Sequence, residues 1–125
     1  MAFIHLQTHS EFSILRAPCR AKDLIKKALS EGQEALALTD HGNMFGILGF
    51  YMDALDINKE RKKEGLPPFN AIIGCHIYVD HPAADRKDEI TYQRLTLLAE
   101  NTEGYYNLLR IVSDCYIEEK NWQEI

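Results

Sequence analysis

Ala35-Leu36-Ala37-Leu38-Thr39-Asp40-His41-Gly42-Asn43 changes character abruptly at Thr39. Every residue from Ala35 to Leu38 is apolar, as suits a strand covered on both faces. The polar turn that follows sets a carboxylate and an imidazole at the strand's C-terminal end, where parallel α/β structures gather their functional groups. Met44, Phe45, Ile47, Leu48, Tyr51, Ala54 and Leu55 then recur at helical spacing. That helix passes into a charged segment ending at Gly65, and Pro67-Pro68 forbid its continuation.

The same alternation extends in both directions. Upstream, Phe3 to Leu6 is a short apolar run that reads as a first strand, and Leu24, Ile25, Ala28 and Leu29 mark a helix stopped by Gly32. Downstream, Ile72 and Ile73 open a third strand that continues past Gly74 through Ile77, Tyr78 and Val79. The stretch from Asp80 to Glu89 is polar and contains proline, so it reads as a loop. Ile90 to Ala99, with Leu95, Leu97 and Leu98, reads as a fourth strand. Gly104 comes early in a last helix striped by Leu108, Leu109, Ile111 and Val112. Residues 1–117 make the folded unit, and 118–125 form a polar tail. The expected class is α/β, with mostly parallel strands alternating with helices through right-handed crossovers. The sheet is either a small open one or about half of a (β/α) barrel, which takes roughly 250 residues.

The chain is 125 residues long, 46% hydrophobic and 26% charged, with a formal charge of -5. That balance argues against a nucleic-acid grip, which masses Lys and Arg on one face. The short run Arg61-Lys62-Lys63 reads as a solvated helix end. Cys19, Cys75 and Cys115 are dispersed without metal-binding spacing, as expected of reduced thiols in the cytoplasm. The start Met1-Ala2-Phe3-Ile4-His5 lacks the pattern of an export signal, and no apolar run is long enough to cross a bilayer.

His5 and His9 flank the end of the first strand, Asp40 and His41 follow the second, and His76 lies in the third. Imidazole and carboxylate groups converging from separate strands are how Zn²⁺ or Mn²⁺ sites are assembled. Singly, each has a plainer explanation: Asp40 or Asn43 capping the next helix, His5 or His76 satisfied within a core.

In order along the chain, four segments resemble the PHP (polymerase and histidinol phosphatase) domain that opens bacterial DNA polymerase III alpha subunits. Phe3-Ile4-His5-Leu6-Gln7-Thr8-His9-Ser10-Glu11-Phe12-Ser13 is similar to its first motif, F-V-H-L-H-V-H-T-E-Y-S. Residues Ala35 to Gly46 resemble its second motif, and Ile72-Ile73-Gly74-Cys75-His76-Ile77-Tyr78-Val79 its I-I-G-C-E-x-Y-V segment. Leu95 to Asn101 with Gly104, Tyr105, Asn107 and Leu108 is similar to L-x-x-L-A-K-N-x-x-G-Y-x-N-L. The resemblance implies a (β/α) barrel, here partial, with a metal cluster at its C-terminal face that hydrolyses phosphoesters in active members. It places the domain at the front of a DNA-directed DNA polymerase, a nucleotidyltransferase of DNA replication.

Departures from the family pattern bear on mechanism. Gln7 replaces the first histidine of the H-x-H pair, Arg16 an acid of motif one, His76 the glutamate of G-C-E, and Arg94 a histidine before the L-x-x-L-A strand. The retained ligand-type positions are His9, Asp40 and His41. Guanidinium is always protonated and cannot ligate a metal. The expectation is therefore a degenerate site without metal or catalytic residue, its arginines paired with Asp40 or neighbouring acids. A residual Zn or Mn site on His9, His41 and His76 is the alternative, with His5 in reserve. Three functions follow: a structural or partner-binding module of the polymerase, an active metal-dependent phosphoesterase or 3′-5′ exonuclease, and a free-standing binding protein derived from the domain. The expected partners are the rest of the alpha subunit, other replisome subunits and, through the parent protein, DNA. A partial barrel is also expected to self-associate, its open edges lacking neighbours.

Overall fold

A computed structural model of the chain describes residues 3–80 and 92–117. Helix α1 (Ala21–Ser30), strand β1 (Ala35–Leu38), helix α2 (Ile47–Lys63), strand β2 (Asn70–Asp80), strand β3 (Tyr92–Leu98) and helix α3 (Thr102–Ile117) follow one another. The strands form one sheet in the order β1-β2-β3. The expected loop from Asp80 to Glu89, apart from its first residue, and the tail 118–125 lie outside the described residues.

β1 is buried along its whole length, as its unbroken apolar run requires. It pairs in parallel with β2, from Ala35↔Asn70 to Leu38↔Ile73, and α2 is the crossover between them. The main core joins Ile25 and Ala28 of α1, Leu36 and Leu38 of β1, Ile47, Phe50 and Ala54 of α2, and Phe69. Around Pro67-Pro68 the chain is tied back to its helix by two side chains, and Arg61 Nε donates to the Pro67 carbonyl (2.8 Å). The Asn58 amide donates to the Phe69 carbonyl (2.9 Å) and accepts from the Phe69 N–H (2.7 Å). A second cluster, Cys75 and Ile77 of β2 with Val112 of α3, lies further along the same face of β2, and Met44 packs against both clusters. The buried stripe of α3 is Leu108, Val112 and Cys115, at i, i+4 and i+7, and Ile111 faces outward.

Two sequence expectations need correction. β3 runs antiparallel to β2, from Gly74↔Leu98 to Asp80↔Tyr92, so the sheet is mixed rather than mostly parallel. The segment between these strands carries no apolar helical period to serve as the crossover that a parallel pair needs. Phe3 to Leu6 is not a strand either, although it lies beside β1. The Ala37 N–H donates to the His5 carbonyl (3.0 Å) and the Thr39 N–H to the Thr8 carbonyl (2.8 Å). The N-terminal segment thus advances three residues while β1 advances two. The extra residue breaks the ladder, and the Thr8 hydroxyl donates to the Ala37 carbonyl in place of a backbone N–H.

Gly74 sits where the sheet is tightest. A Cβ there would stand 2.5 Å from the Leu97 carbonyl oxygen and 2.8 Å from Thr39 Cγ2. Only glycine lets β3 and the end of β1 close on β2 from both sides. Among the described residues, no helix is long and apolar enough to cross a membrane.

Candidate functional site

The line of β1 continues beyond Leu38 in the same register. His41 bridges His76 in parallel, with the His76 N–H donating to the Asp40 carbonyl (2.9 Å) and the Gly42 N–H to the His76 carbonyl (2.8 Å). Directly paired residues project to the same face of a sheet, and here they bring two imidazoles together with ring centroids 4.5 Å apart. His9 completes the group, 4.4 Å from His41 and 5.8 Å from His76. Its Nδ1 donates to the Thr39 carbonyl at 2.7 Å, which turns the ring and leaves Nε2 for other contacts.

Asp40 takes no part in this face. Its side chain is 1% exposed and both of its oxygens are engaged by the loop after His9. Oδ1 accepts from the Ser10 N–H and the Ser13 hydroxyl, and Oδ2 from the Ser10 hydroxyl, each at 2.6 Å. The Ser13 oxygen also accepts from the His41 N–H at 3.1 Å. Gly46 makes room for the clamp, since a Cβ there would meet Phe12, Ser10 and Asp40 within 3.3 Å. A buried carboxylate must be hydrogen-bonded to persist, and these bonds make Asp40 the peg on which the 10–13 loop hangs.

His76 is 2% exposed. Its Nδ1 faces the Gln7 amide nitrogen and the Thr96 hydroxyl, each at 3.2 Å. With an amide nitrogen as donor, Nδ1 accepts and the ring proton sits on Nε2, a buried atom that has no hydrogen-bond partner among the described residues. His41 is also neutral. Its Nε2 faces Arg16 Nη1 at 3.3 Å, and a guanidinium can only donate, so Nδ1 carries the proton and meets the Tyr78 hydroxyl at 3.5 Å. Burial, reinforced by His9 and then Arg16, brings the His41 imidazole down to about 4. Burial likewise lowers His76, with His9 and Arg94 adding to it.

The arginines do not pair with Asp40, contrary to the expectation drawn from their positions. Arg16 lies against His41, with its Cζ 6.0 Å from the centroid of the Tyr78 ring. Arg94 is directly across the β2–β3 ladder from Tyr78. His5 stands apart from the imidazole group: its exposed ring meets Phe3 edge-on at 4.7 Å. The structure thus gathers Gln7, His9, His41, His76, Arg16 and Arg94 on one face, sets Asp40 beneath it and leaves His5 outside. Among the described residues, no group of three or more His, Cys, Asp or Glu side chains is arranged to hold a metal ion. Ser10, Ser13, Thr39, Tyr78 and Thr96 were not singled out by sequence reasoning. Cys75 is a core residue whose thiol burial pushes up to about 11, so it stays protonated and inert.

Residues 5–125 match the PHP domain, and the chain belongs to that family. The curated proteins it resembles include polymerase subunits. The chain is 43% identical over 122 residues to DNA polymerase III subunit alpha of Treponema pallidum (strain Nichols), which covers 94% of this chain and 10% of that protein. The same subunit from Borreliella burgdorferi is 40% identical over 121 residues, covering 93% of this chain and 10% of the relative. That of Helicobacter pylori strain 26695 is 40% identical over 119 residues, with 94% and 9% covered. The chain therefore spans about a tenth of the length of these curated relatives.

Proposed function

We propose that the chain is the PHP region of a replicative DNA polymerase alpha subunit, the first part of a (β/α) barrel whose metal cluster has been replaced by protein cations. On this reading it supplies neither polymerisation nor phosphoester hydrolysis. It serves as a scaffold and contact surface for the rest of the subunit, for other replisome components and, through them, for DNA. The observation that carries the reading is Arg16 Nη1 at 3.3 Å from His41 Nε2. That nitrogen lone pair is the one a metal would need, and a permanent positive charge stands against it. The donor set fits a divalent cation poorly elsewhere too. Both oxygens of Asp40 are held by Ser10 and Ser13, and Gln7 donates to Nδ1 of His76, the ring nitrogen that carries the lone pair.

The residual-metal reading has one observation in its favour, the unpartnered buried Nε2 of His76 beside two other imidazoles. An activity assay separates the two. The chain, given a 3′-labelled oligonucleotide with Mn²⁺ or Zn²⁺, is expected to release no nucleotide. Metal-stimulated release that disappears in Asp40→Asn would replace the scaffold reading with an active phosphoesterase.

A further inference from the structure

Helix α2 is apolar on two sides. Ile47, Phe50 and Ala54 are buried against the sheet and α1. On the outer side stand Phe45, just ahead of the helix, then Leu48, Met52 and Leu55, at intervals of three, four and three residues. That spacing lays a seam along one side of a helix, of the kind a second helix packs into. All four are exposed, Phe45 at 66% and Leu48 at 69%. A surface helix ordinarily carries a single apolar stripe, facing its own core, so the outer seam calls for a cover of its own. Lys59, four residues past Leu55, ends the seam and brings its own counter-ion, Asp56 at 2.8 Å.

Gly49 adds a second observation. It lies between Phe45 and Met52 on the exposed side of α2, and among the described residues nothing stands within 4 Å of where its Cβ would be. Glycine weakens a helix interior, and no packing inside the chain requires it here. Its effect is a notch in the outer surface. Seam and notch are complementary when two α2 helices run antiparallel. With Met52 facing Met52 of a second copy, Leu55 of each falls opposite Gly49 of the other. Lys59 falls opposite the Phe45 ring, a cation over an aromatic face. A parallel pair would set notch against notch and Lys59 against Lys59. The seam with Tyr51 leaves roughly 500 Å² of side-chain surface uncovered per copy. Pairing two copies removes on the order of 1,000 Å², about what a specific interface requires.

We infer that α2 is a self-recognition helix: two copies of this chain pair antiparallel about Met52, each seating Leu55 in the Gly49 notch of the other. The two-fold axis closes the arrangement at a dimer. The pairing is independent of what the imidazole face holds, so it stands or falls apart from the scaffold reading.

Sedimentation equilibrium of the 125-residue chain over a concentration series tests it. A monomer–dimer equilibrium is expected. Met52→Glu and Met52→Lys should each weaken it at least about tenfold, because the axis sets like charges face to face. An equal mixture of the two variants should pair again. Tyr106→Glu, at an exposed ring on α3, should change nothing. Gly49→Leu should weaken pairing by filling the notch, and adding Leu55→Ala in the same chain should restore it. Met52 and Gly49 are exposed, so circular dichroism should show their variants folded. A monomer at every concentration, a dimer indifferent to Met52→Glu, or charged variants that fail to pair with each other would overturn the α2 dimer and leave the seam to a different partner. Failure of the Leu55→Ala rescue would overturn the antiparallel arrangement.

Discussion

Ser13 holds the site together through a single oxygen, which donates to Asp40 Oδ1 and accepts from the His41 N–H. Ser13→Ala leaves a buried carboxylate short of a donor and a backbone N–H short of an acceptor. Urea unfolding should show a loss of about 1–3 kcal/mol for such an orphaned buried group, with an unchanged slope. A loss within error would mean that water or another donor replaces the hydroxyl. His41 gives a pH signature. Its folded value, about 4, lies below the model-peptide value of 6.5, so the unfolded chain binds the extra proton first. Its contribution is fully present above the unfolded value and is lost as pH falls towards the folded one. The melting temperature should therefore drop between pH 7 and pH 4 (roughly the span of these two values), less steeply in His41→Gln. An identical slope in the variant would show that His41 is not the group responsible. At this scale the sequence showed which residues are chemical, His9, Asp40, His41 and His76. It did not show which way they turn. Asp40 belongs to a motif that suggests a ligand, yet its orientation is decided by Ser10 and Ser13, and the contribution of two hydroxyls brought from a distant loop has no local signal.

At the scale of elements, the unbroken apolar run of β1 and the helical spacing of α2 were legible because burial leaves a period in the sequence. The N-terminal segment was not, since one additional residue relative to β1 spoils the ladder while leaving composition unchanged. The antiparallel placement of β3 was hidden for a similar reason: a strand's own sequence records its burial but not its direction. Gly74 is the element-level constraint. Gly74→Ala forces a methyl group between the Leu97 carbonyl and Thr39 and should cost about 1–3 kcal/mol, as overpacking does. Gly49, on α2 with nothing within 4 Å of a Cβ, is the control. Gly49→Ala should stabilise by about 0.5–1 kcal/mol through helix propensity. Equal and small effects at the two positions would show that the sheet relaxes around Gly74.

On the scale of the whole molecule, α2 exposes an apolar flank, with Leu48 at 69%, Met52 at 50% and Tyr51 at 45%. A cavity of about 540 Å³ between α2, β2 and the start of α3 opens beside it, lined by Ile47, Leu48, Tyr51, Ile73 and Tyr105. Surfaces of this kind are covered in larger assemblies, and the relatives are about ten times longer than this chain. In isolation the chain should self-associate with concentration, as light scattering would register. A monomer of 14.4 kDa at every concentration would show that the flank is tolerated in water. The central claim, that protein cations stand where the family's metals would be, is tested most directly by elemental analysis of the purified chain after dialysis without chelator. The account predicts no stoichiometric zinc, manganese or iron. One molar equivalent of bound metal, lost on His9→Ala or His41→Ala, would contradict it.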